Sequence, residues 1–447
     1  MNTASATGCP APPLRVGQAV SAFFALALTA CSASAETAVP VEIVETASGY
    51  QLLRGGVPYA VRGVGAQKDL IASAAAHGAN SIRTWATDTP QMSAAELLDR
   101  AHALGMTVAL GLPVAPERSG FDYDDEQAVR EQFERMRAEV LKHRGHPALL
   151  FWIIGNELNL HAANPKVYDA VGDLARMIGE LDPDHPRTTA LAGFTPEVVA
   201  EVQARAPDLD FLSFQVYGSL FDLPERLETA GFDAPFMVTE WGTIGHWEVE
   251  AAPWGAPVEP TSSEKAAVYL QGYQEVLAPL ENQMIGSYVF FWGQKQERTP
   301  TWYGVFTEDG DETEVVDVMH GIWKGATPAN RAPELVSMHL DGGAAKDGVS
   351  LVEGRLYAAA VAASDPDEDA LRYAWMLKPE SEATQAGGDY EAPIANLEGY
   401  IEGGDSAAIR LRAPPAGAYR LFVYVYDGHG HAAHANIPFL VQARDPP

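Results

Sequence analysis

Short apolar runs alternate with amphipathic stretches between residues 41 and 324, and this rhythm predicts alternating strands and helices. Residues 41–64 have the turn-separated alternation of a hairpin, and its last run also serves as the first barrel strand. Further strands are predicted at residues 80–85, 106–112, 148–154, 188–192, 211–217, 236–240 and 284–292. Helices are predicted at residues 70–77, 93–104, 126–142, 167–181, 197–206, 224–230, 263–280 and 315–324. Eight strands that alternate with helices predict an α/β fold, a (β/α)8 TIM barrel.

Two of the predicted strands end in a glutamate. The apolar run over residues 148–154 leads through a glycine to Asn156 and Glu157, and residues 236–239 are followed directly by Glu240. A continuous apolar run indicates a strand that is buried on both faces. A carboxylate at its end lies where the core opens to solvent, and in parallel barrels that rim holds the active site. We therefore expect Glu157 and Glu240 to face each other across the mouth of the barrel.

Two opposed carboxyl groups can hydrolyse a glycosidic bond in two steps. One donates a proton and later removes one, while the other attacks the anomeric carbon. Retaining enzymes hold this pair at ~5–5.5 Å. Glutamates at the ends of the fourth and seventh strands suit that separation, so the pattern favours a retaining glycosidase.

The residues around both glutamates resemble the catalytic motifs of glycoside hydrolase clan A, and most closely the family 2 catalytic barrel. Residues 146–157 (HPALLFWIIGNE) resemble the strand-four motif, and residues 238–242 (VTEWG) resemble the strand-seven motif. Supporting matches are Arg62-Gly63-Val64, Ile82-Arg83-Thr84, residues 182–187, Tyr217 and Trp292. The similarity covers residues 40–325.

The resemblance implies that Glu157 is the acid/base and Glu240 the nucleophile. It also implies that Asn156 binds the sugar 2-hydroxyl, and that Arg83 and Tyr217 form hydrogen bonds with the nucleophile. The expected chemistry agrees with these roles. A nearby cation and a hydroxyl favour the ionised form of a nucleophile, whereas a neighbouring negative charge and a drier position raise the pKa of an acid.

Two positions depart from the family pattern. Gln215 stands where the family has an asparagine two residues before the tyrosine, and no histidine follows Arg83. The substrate specificity of the family is therefore not carried over, whereas its double-displacement chemistry is.

Aromatic residues near the strand ends are predicted to bind the substrate, because aromatic faces stack on the apolar faces of sugar rings. The predicted substrate-binding side chains are Trp85, Trp241, Trp292 and His246, together with the loop residues Trp247, Trp254, Trp302 and Tyr303. The alternative is that these side chains attach long loops to the rim of the barrel.

A change of pattern after residue 325 predicts a second domain. The catalytic barrel is assigned to residues 36–325, a linker to residues 326–334, and a small all-β sandwich of immunoglobulin-like type to residues 335–447. Its acidic loop resembles that of cadherin-like and polycystic-kidney-disease-like domains. Asp365, Asp367 and Asp369 could hold a structural calcium ion, and the alternative is a solvated turn. No other cofactor, and no metal in the active site, is expected.

The first 35 residues are predicted to be a signal peptide and tether. Arg15 is their one charged residue, and residues 20–30 form an apolar core of secretory length. Residues 28–31 (LTAC) resemble a bacterial lipobox with Cys31 as the lipidated residue, and the alternative is cleavage after residues 33–35, which would give a secreted protein. We expect export to the bacterial cell envelope, with a lipid anchor in the periplasm or outer membrane.

The charge of the chain narrows the choice of partner. A formal net charge of −30 disfavours nucleic acids, anionic membrane surfaces and polyanionic substrates. A neutral glycan is therefore the expected substrate, and contact with a membrane is expected only through Cys31. The oligomeric state is left open.

Taken together, these patterns predict a retaining glycoside hydrolase that acts on a neutral β-linked oligo- or polysaccharide. A transglycosylase would use the same residues, and a non-catalytic cell-surface glycan-binding protein would show no turnover. A metal-dependent barrel hydrolase is disfavoured, because paired histidines do not occur at the predicted strand ends. The sequence leaves the sugar, the linkage and the choice between terminal and internal cleavage open.

Overall fold

The computed structural model of the protein describes residues 37–384 and 387–444, so the prediction of lipid attachment at Cys31 lies outside the described residues. A small antiparallel sheet comes first, formed by β1 (Val41–Thr46), β2 (Gly49–Arg54) and β3 (Val57–Pro58). The backbone N–H of Tyr50 donates to the carbonyl oxygen of Asn282 at 2.8 Å, just before a barrel strand begins. Leu52 packs in one cluster with Phe151 and other barrel residues. The sheet therefore covers the floor of the barrel and leaves the opposite end open.

Eight parallel strands close into the predicted barrel. The strands are β4 (Val61–Ala66), β5 (Ser81–Arg83), β6 (Thr107–Leu112), β7 (Leu149–Asn156), β8 (Arg187–Ala192), β9 (Leu212–Gln215), β10 (Phe236–Trp241) and β11 (Met284–Trp292). They follow one another around the ring in chain order, and β11 pairs with β4 to close it. The first seven residues of β7 are buried, as its continuous apolar run requires. The (β/α)8 prediction is confirmed.

Helices on the outside of the barrel follow the strands. They are α1 (Ile71–Ala76), α2 (Ala94–Ala103), α3 (Glu126–His143), α4 (Lys166–Leu181), α5 (Pro196–Arg205), α6 (Leu223–Ala230), α7 (Ser262–Gln271) and α8 (Glu314–Lys324). Two of them begin with a capping box, in which Ser93 and Thr261 are the N-caps and Glu96 and Glu264 the returning carboxylates. No helix in residues 37–384 or 387–444 is long and apolar enough to cross a membrane.

The C-terminal part is a β-sandwich of two four-stranded sheets. Its strands are β12 (Glu334–Leu340), β13 (Ser350–Val352), β14 (Leu356–Ser364), β15 (Arg372–Pro379), β16 (Ile401–Glu402), β17 (Ala408–Arg412), β18 (Gly417–Tyr426) and β19 (Ala432–Gln442). One sheet has the order β12-β14-β17-β16 and the other β13-β19-β18-β15. The predicted sandwich is confirmed, while its immunoglobulin-like type and the domain boundaries stay predictions. The pattern did not indicate β13 and β16, because strands of two or three residues are too short to show alternation.

A buried polar network joins the sandwich to the barrel. Glu259 accepts hydrogen bonds from Lys265 Nζ at 2.5 Å and from Asn436 Nδ2, on β19, at 2.6 Å. On β18, Arg420 donates to the carbonyl oxygen of Pro257 at 2.9 Å. Burial opposes ionisation of Glu259, but the charges of Lys265 and His434 and the hydrogen bonds from Lys265 and Thr299 together outweigh it and lower the pKa of Glu259 to about 2. Barrel and sandwich belong to one compact unit.

Candidate active site

Glu157 and Glu240 both lie at the open end of the barrel. Glu157 directly follows β7, Glu240 is the penultimate residue of β10, and two strands separate β7 from β10 in the ring. The chain leaves β7 in the left-handed region, with φ of 73° at Gly155 and 49° at Glu157. A Cβ atom at Gly155 would lie 2.5 Å from Leu158, so only glycine fits this turn. The turn holds Glu157 in place at the mouth.

Both glutamates line one pocket at this end. The cavity has a volume of about 390 Å³. Its lining residues are Trp85, Asn156, Glu157, Tyr217, Glu240, Trp247, Phe290, Phe291, Gln294, Lys295, Glu297, Gly387 and Gly388. A concave site with apolar walls and a few convergent polar groups is the usual form of a small-molecule site. The structure therefore brings the two sequence-predicted glutamates together in one cavity.

In the part of the chain that the structure describes, four donors surround the carboxylate of Glu240. Its Oε1 atom accepts hydrogen bonds from Trp85 Nε1 at 2.7 Å, from Gln215 Nε2 at 3.0 Å and from Arg83. Its Oε2 atom accepts one hydrogen bond, from the Tyr217 hydroxyl at 2.8 Å. A carboxyl group that accepts this many hydrogen bonds is stabilised in its ionised form, which has only acceptors. This arrangement suits a nucleophile.

Arg83 connects Glu240 with Asn156 from behind the pocket. The guanidinium is 1% exposed and also donates to Asn156 Oδ1 at 2.6 Å. Gln215 Nε2 donates to the same oxygen at 2.7 Å, so the glutamine that departs from the family pattern still bridges Glu240 and Asn156. Among the described residues no acceptor is bonded to the Asn156 amide nitrogen. Its N–H groups are thus available to a ligand.

Glu157 has the opposite environment. Among the described residues no donor contacts its carboxyl group, and Arg118 binds only its backbone oxygen, at 2.9 Å. Burial, together with the negative charge of Glu240, raises the pKa of Glu157 to about 8. This carboxyl group is therefore protonated at neutral pH. One pocket thus holds a carboxyl group with a raised pKa and a second carboxyl group that accepts four hydrogen bonds from the described residues.

A third carboxylate, Glu297, lies in the wall of the pocket. Lys295 Nζ is 2.5 Å from its Oε2 atom, and His246 Nε2 is 3.8 Å from its Oε1 atom. Burial is the main reason why the pKa of Glu297 is raised. The ammonium of Lys295 also lies 5.4 Å from the centre of the Phe290 ring. Sequence reasoning missed both residues, since they follow β11 in a stretch without any periodic pattern.

The aromatic predictions divide into residues that line the pocket and residues that do not. Trp85, Tyr217 and Trp247 line it. Trp241 and Trp292 do not, which corrects the expectation that they bind the substrate. Both are fully buried, with Trp241 against Tyr269 on α7 and Trp292 against Phe306 and Trp323 on the outer side of the barrel wall.

The remaining aromatic predictions also fall outside the pocket. His246 is half-buried between the rings of Trp247 and Trp302, and burial lowers its pKa to about 4. Trp302 and Tyr303 are buried beneath the rim, and Tyr303 accepts a hydrogen bond from the backbone N–H of His246 at 3.1 Å. Trp254 is not among the lining residues either. For His246, Trp302 and Tyr303 the mutual ring contacts support the alternative, in which these side chains attach a loop to the rim.

The acidic loop of the sandwich brings together a different set of carboxylates from the predicted one. Oxygen atoms of Asp365, Asp369 and Asp427 lie within 4.8 Å of one another and could hold a metal ion. Asp367 is expected from the sequence to take part, but it points elsewhere and pairs with Arg331 at 2.9 Å. Asp427 directly follows β18, and this strand ends beside the acidic loop. Asp427, and not Asp367, is therefore the third carboxylate of the candidate metal site.

Comparison with solved structures shows the fold. A β-D-glucuronidase from Dictyoglomus thermophilum has a TM-score of 0.50 and 18% identity over 64% of this chain and 54% of that chain. β-Glucuronidase 2 from Bacteroides uniformis has a TM-score of 0.49 and 14% identity over 90% of this chain and 48% of that chain. A glycoside hydrolase family 5 mannosidase from Rhizomucor miehei has a TM-score of 0.47 and 13% identity over 64% of this chain and 96% of that chain.

The chain spans about half the length of each of the two glucuronidases named above. No family model matches the sequence. No curated protein matches it either. The likeness thus establishes a barrel fold of the kind found in glycosidases, and the activity has to be inferred from the site.

Proposed function

We propose that the protein is a retaining glycoside hydrolase that cleaves O-glycosidic bonds of a neutral β-linked oligo- or polysaccharide. The observation that carries this proposal is the contrast between the two carboxyl groups of one pocket. Glu240 accepts four hydrogen bonds, whereas Glu157 accepts none from the described residues and has a pKa raised to about 8. Two titratable groups whose environments separate their protonation states are the usual mark of an acid and a nucleophile.

In the first step of the proposed reaction, Glu240 Oε2 attacks the anomeric carbon. Among the described residues, three donors bind Oε1, whereas Oε2 accepts a hydrogen bond from the Tyr217 hydroxyl only and keeps a lone pair for the attack. The bond from the anomeric carbon to the glycosidic oxygen breaks, and that oxygen takes the proton of Glu157. The product is a covalent glycosyl ester on Glu240 and a free alcohol.

In the second step, water replaces the departed alcohol. Glu157, now ionised, removes a proton from the water as its oxygen attacks the anomeric carbon, and the ester bond to Glu240 breaks. Both carboxyl groups return to their starting states, and two inversions at the anomeric carbon retain its configuration. Asn156 supports both steps, because its free amide N–H groups can donate to the sugar 2-hydroxyl as charge develops on the ring.

A neutral sugar fits the walls of the pocket. Trp85, Trp247 and Phe290 offer aromatic faces that suit the apolar side of a sugar ring. Lys295 is the one lysine among the lining residues, and Glu297 neutralises it at 2.5 Å. No free cation in the described lining is therefore available to balance a charged sugar. We therefore do not propose a glucuronide as the substrate, although the chain shares its barrel fold with a β-glucuronidase.

Trapping of the covalent intermediate tests the proposal. Aryl β-glycosides of glucose, mannose, galactose and glucuronic acid identify the preferred sugar, and the matching 2-deoxy-2-fluoro glycoside should then add one sugar mass to a peptide containing Glu240. Glu240→Ala should abolish turnover, and Glu228→Ala, on the exposed face of α6, should leave it unchanged. An inverted product, or an absence of turnover on every glycoside, would contradict the proposal.

We also propose that the protein is exported and attached to the bacterial cell envelope through lipid on Cys31. The support is the lipobox-like stretch over residues 28–31 alone. Cys31→Ser should move the protein from the membrane fraction to the soluble fraction, whereas secretion after residues 33–35 would leave its distribution unchanged.

For the acidic loop we keep calcium as the proposed ion of Asp365, Asp369 and Asp427. Added calcium should raise the thermal unfolding temperature of the wild type and leave that of Asp427→Asn unchanged. An equal response of both proteins would contradict binding at these residues.

A further inference from the structure

One wall of the catalytic pocket comes from outside the barrel. Gly387 and Gly388 line the cavity together with both catalytic glutamates, yet they belong to the connection between β15 and β16 of the sandwich. The sandwich is therefore part of the site. We call residues 387–391 the sandwich segment.

The sandwich segment bridges two opposite sides of the barrel mouth. A Cβ atom at Gly387 would lie 2.9 Å from Leu160, which follows β7, and one at Gly388 would lie 2.8 Å from Lys295 Nζ, which follows β11. β7 and β11 are four strands apart in either direction around the ring of eight. Two glycines with φ of 65° and 72° thus cross the mouth in close contact with both rims.

Arg298 holds the sandwich segment in this position. Its backbone N–H donates to Glu391 Oε2 at 2.8 Å, and its guanidinium donates to the carbonyl oxygen of Ala383. The two contacts fix the chain before and after the glycines. Glu391 is 5% exposed, so its hydrogen bond is shielded from water. The anchor lies three residues beyond Lys295, on the loop that the segment touches.

We propose that the sandwich segment is a specificity-determining wall that restricts the enzyme to the ends of glycan chains, with Arg298 as its positioning residue. A polymer cleaved internally needs a groove that is open on both sides of the scissile bond. Here a segment that crosses the mouth closes one direction, and the remaining cavity of about 390 Å³ has the size of a small-ligand site. This inference rests on the proposed hydrolase function. It specifies that the enzyme cleaves terminal rather than internal glycosidic bonds.

The experiment compares terminal with internal cleavage. A soluble β-linked polymer of the preferred sugar is digested, and the release of single sugars is measured beside the fall in viscosity. The wild type should release single sugars with little loss of viscosity. Arg298→Ala removes the charge-assisted hydrogen bond to Ala383 and should raise the ratio of internal to terminal cleavage about tenfold. Glu391→Gln removes the negative charge but keeps an acceptor for the Arg298 backbone, so it should raise this ratio by a smaller factor.

Arg412→Ala is the matched control, because it removes an arginine of the same sandwich that pairs with Glu402 on an exposed face, at 3.5 Å.

Gly388→Ala is a second test, in which the sandwich segment is made bulkier instead of being released. The added methyl group would press on Lys295 and should lower kcat/KM for oligosaccharides more than for aryl glycosides. A wild type that cleaves internally, or ratios that do not change in Arg298→Ala and Glu391→Gln, would overturn the inference while leaving the hydrolase in place. A wild type inactive on every glycoside would overturn the proposed function first.

Discussion

The hydroxyl group of Tyr217 donates to Oε2 of Glu240 at 2.8 Å, and it is the one hydrogen bond from the described residues to that oxygen. The donor thus lies on the atom that we propose to attack the sugar. Such a hydrogen bond holds the carboxylate in place and must weaken as the ester forms. Tyr217 therefore orients the nucleophile without fixing both of its oxygens.

We expect Tyr217→Phe to lower kcat about 10- to 100-fold, because a hydrogen bond to a charged group contributes about 1.5–3 kcal/mol. Steady-state kinetics on an aryl β-glycoside measures this loss. Tyr303→Phe is the control, since the ring of Tyr303 lies 5.5 Å from that of Tyr217 while its hydroxyl serves the His246 backbone. Equal rates for Tyr217→Phe and the wild type would show that the hydroxyl is dispensable.

The raised pKa of Glu157 predicts the upper limit of the pH profile. The first step needs the protonated acid, so activity should be high below a pH of about 8 and fall as the pH rises through it. Glu157→Gln should be slow on unactivated glycosides at every pH and should lose this upper limb. Its first step should stay fast on aryl glycosides with good leaving groups, which need no proton. If the fall in activity at alkaline pH persists in Glu157→Gln, a group other than Glu157 causes that fall.

The same shift predicts a stability effect with a definite sign. The pKa of Glu157 is raised from 4.5 to about 8 on folding, so the folded protein keeps a proton that the unfolded chain releases between these values. Stability therefore falls as the pH rises across this window. Glu157→Gln, which stays neutral, should raise the unfolding temperature more at about pH 9 than at about pH 5. Glu228→Gln, on an exposed helix face, should show no such pH dependence.

Much of the barrel and its two glutamates could be predicted from the sequence, because buried parallel strands leave continuous apolar runs and each run stops where the core opens. β11 was predicted with its observed bounds, Met284–Trp292. The apolar runs alone did not indicate on which face of the barrel wall Trp241 and Trp292 lie. Successive side chains of a strand point to opposite faces, so Trp241 is directed outward next to the inward Glu240 and packs against α7.

The sandwich segment left almost no signal in the sequence. The stretch between β15 and β16 has no period, and its residues reach the pocket only because the sandwich docks on the barrel. Docking depends on a polar network around Glu259 that joins distant parts of the chain. Contacts of this kind follow from tertiary packing and leave no local pattern. A pair of neighbouring glycines, Gly387 and Gly388, was the one available hint of a close backbone approach.

Trp247 should contribute to binding and little to folding. Its side chain lines the pocket but is 59% exposed, and its ring contacts Tyr217 edge-on at 5.6 Å. We expect Trp247→Ala to raise KM about fivefold with little change in kcat, since an aromatic contact is worth about 1 kcal/mol. Trp254→Ala, in the same loop but outside the lining, is the control. A fall in kcat alone would assign Trp247 to catalysis instead.

The pair of Lys265 and Glu259 should be essential for the stability of the barrel–sandwich junction. Both side chains are buried, and Nζ lies 2.5 Å from Oε1. Lys265→Met would leave the Glu259 charge buried without its cation, so we expect a loss of about 3–5 kcal/mol in the free energy of unfolding, measured by urea denaturation. Lys166→Met breaks an ion pair of similar length, 2.7 Å to Asp124, but on the exposed surface, and should cost less than about 1 kcal/mol. Similar losses in the two variants would show that the junction does not depend on this buried pair.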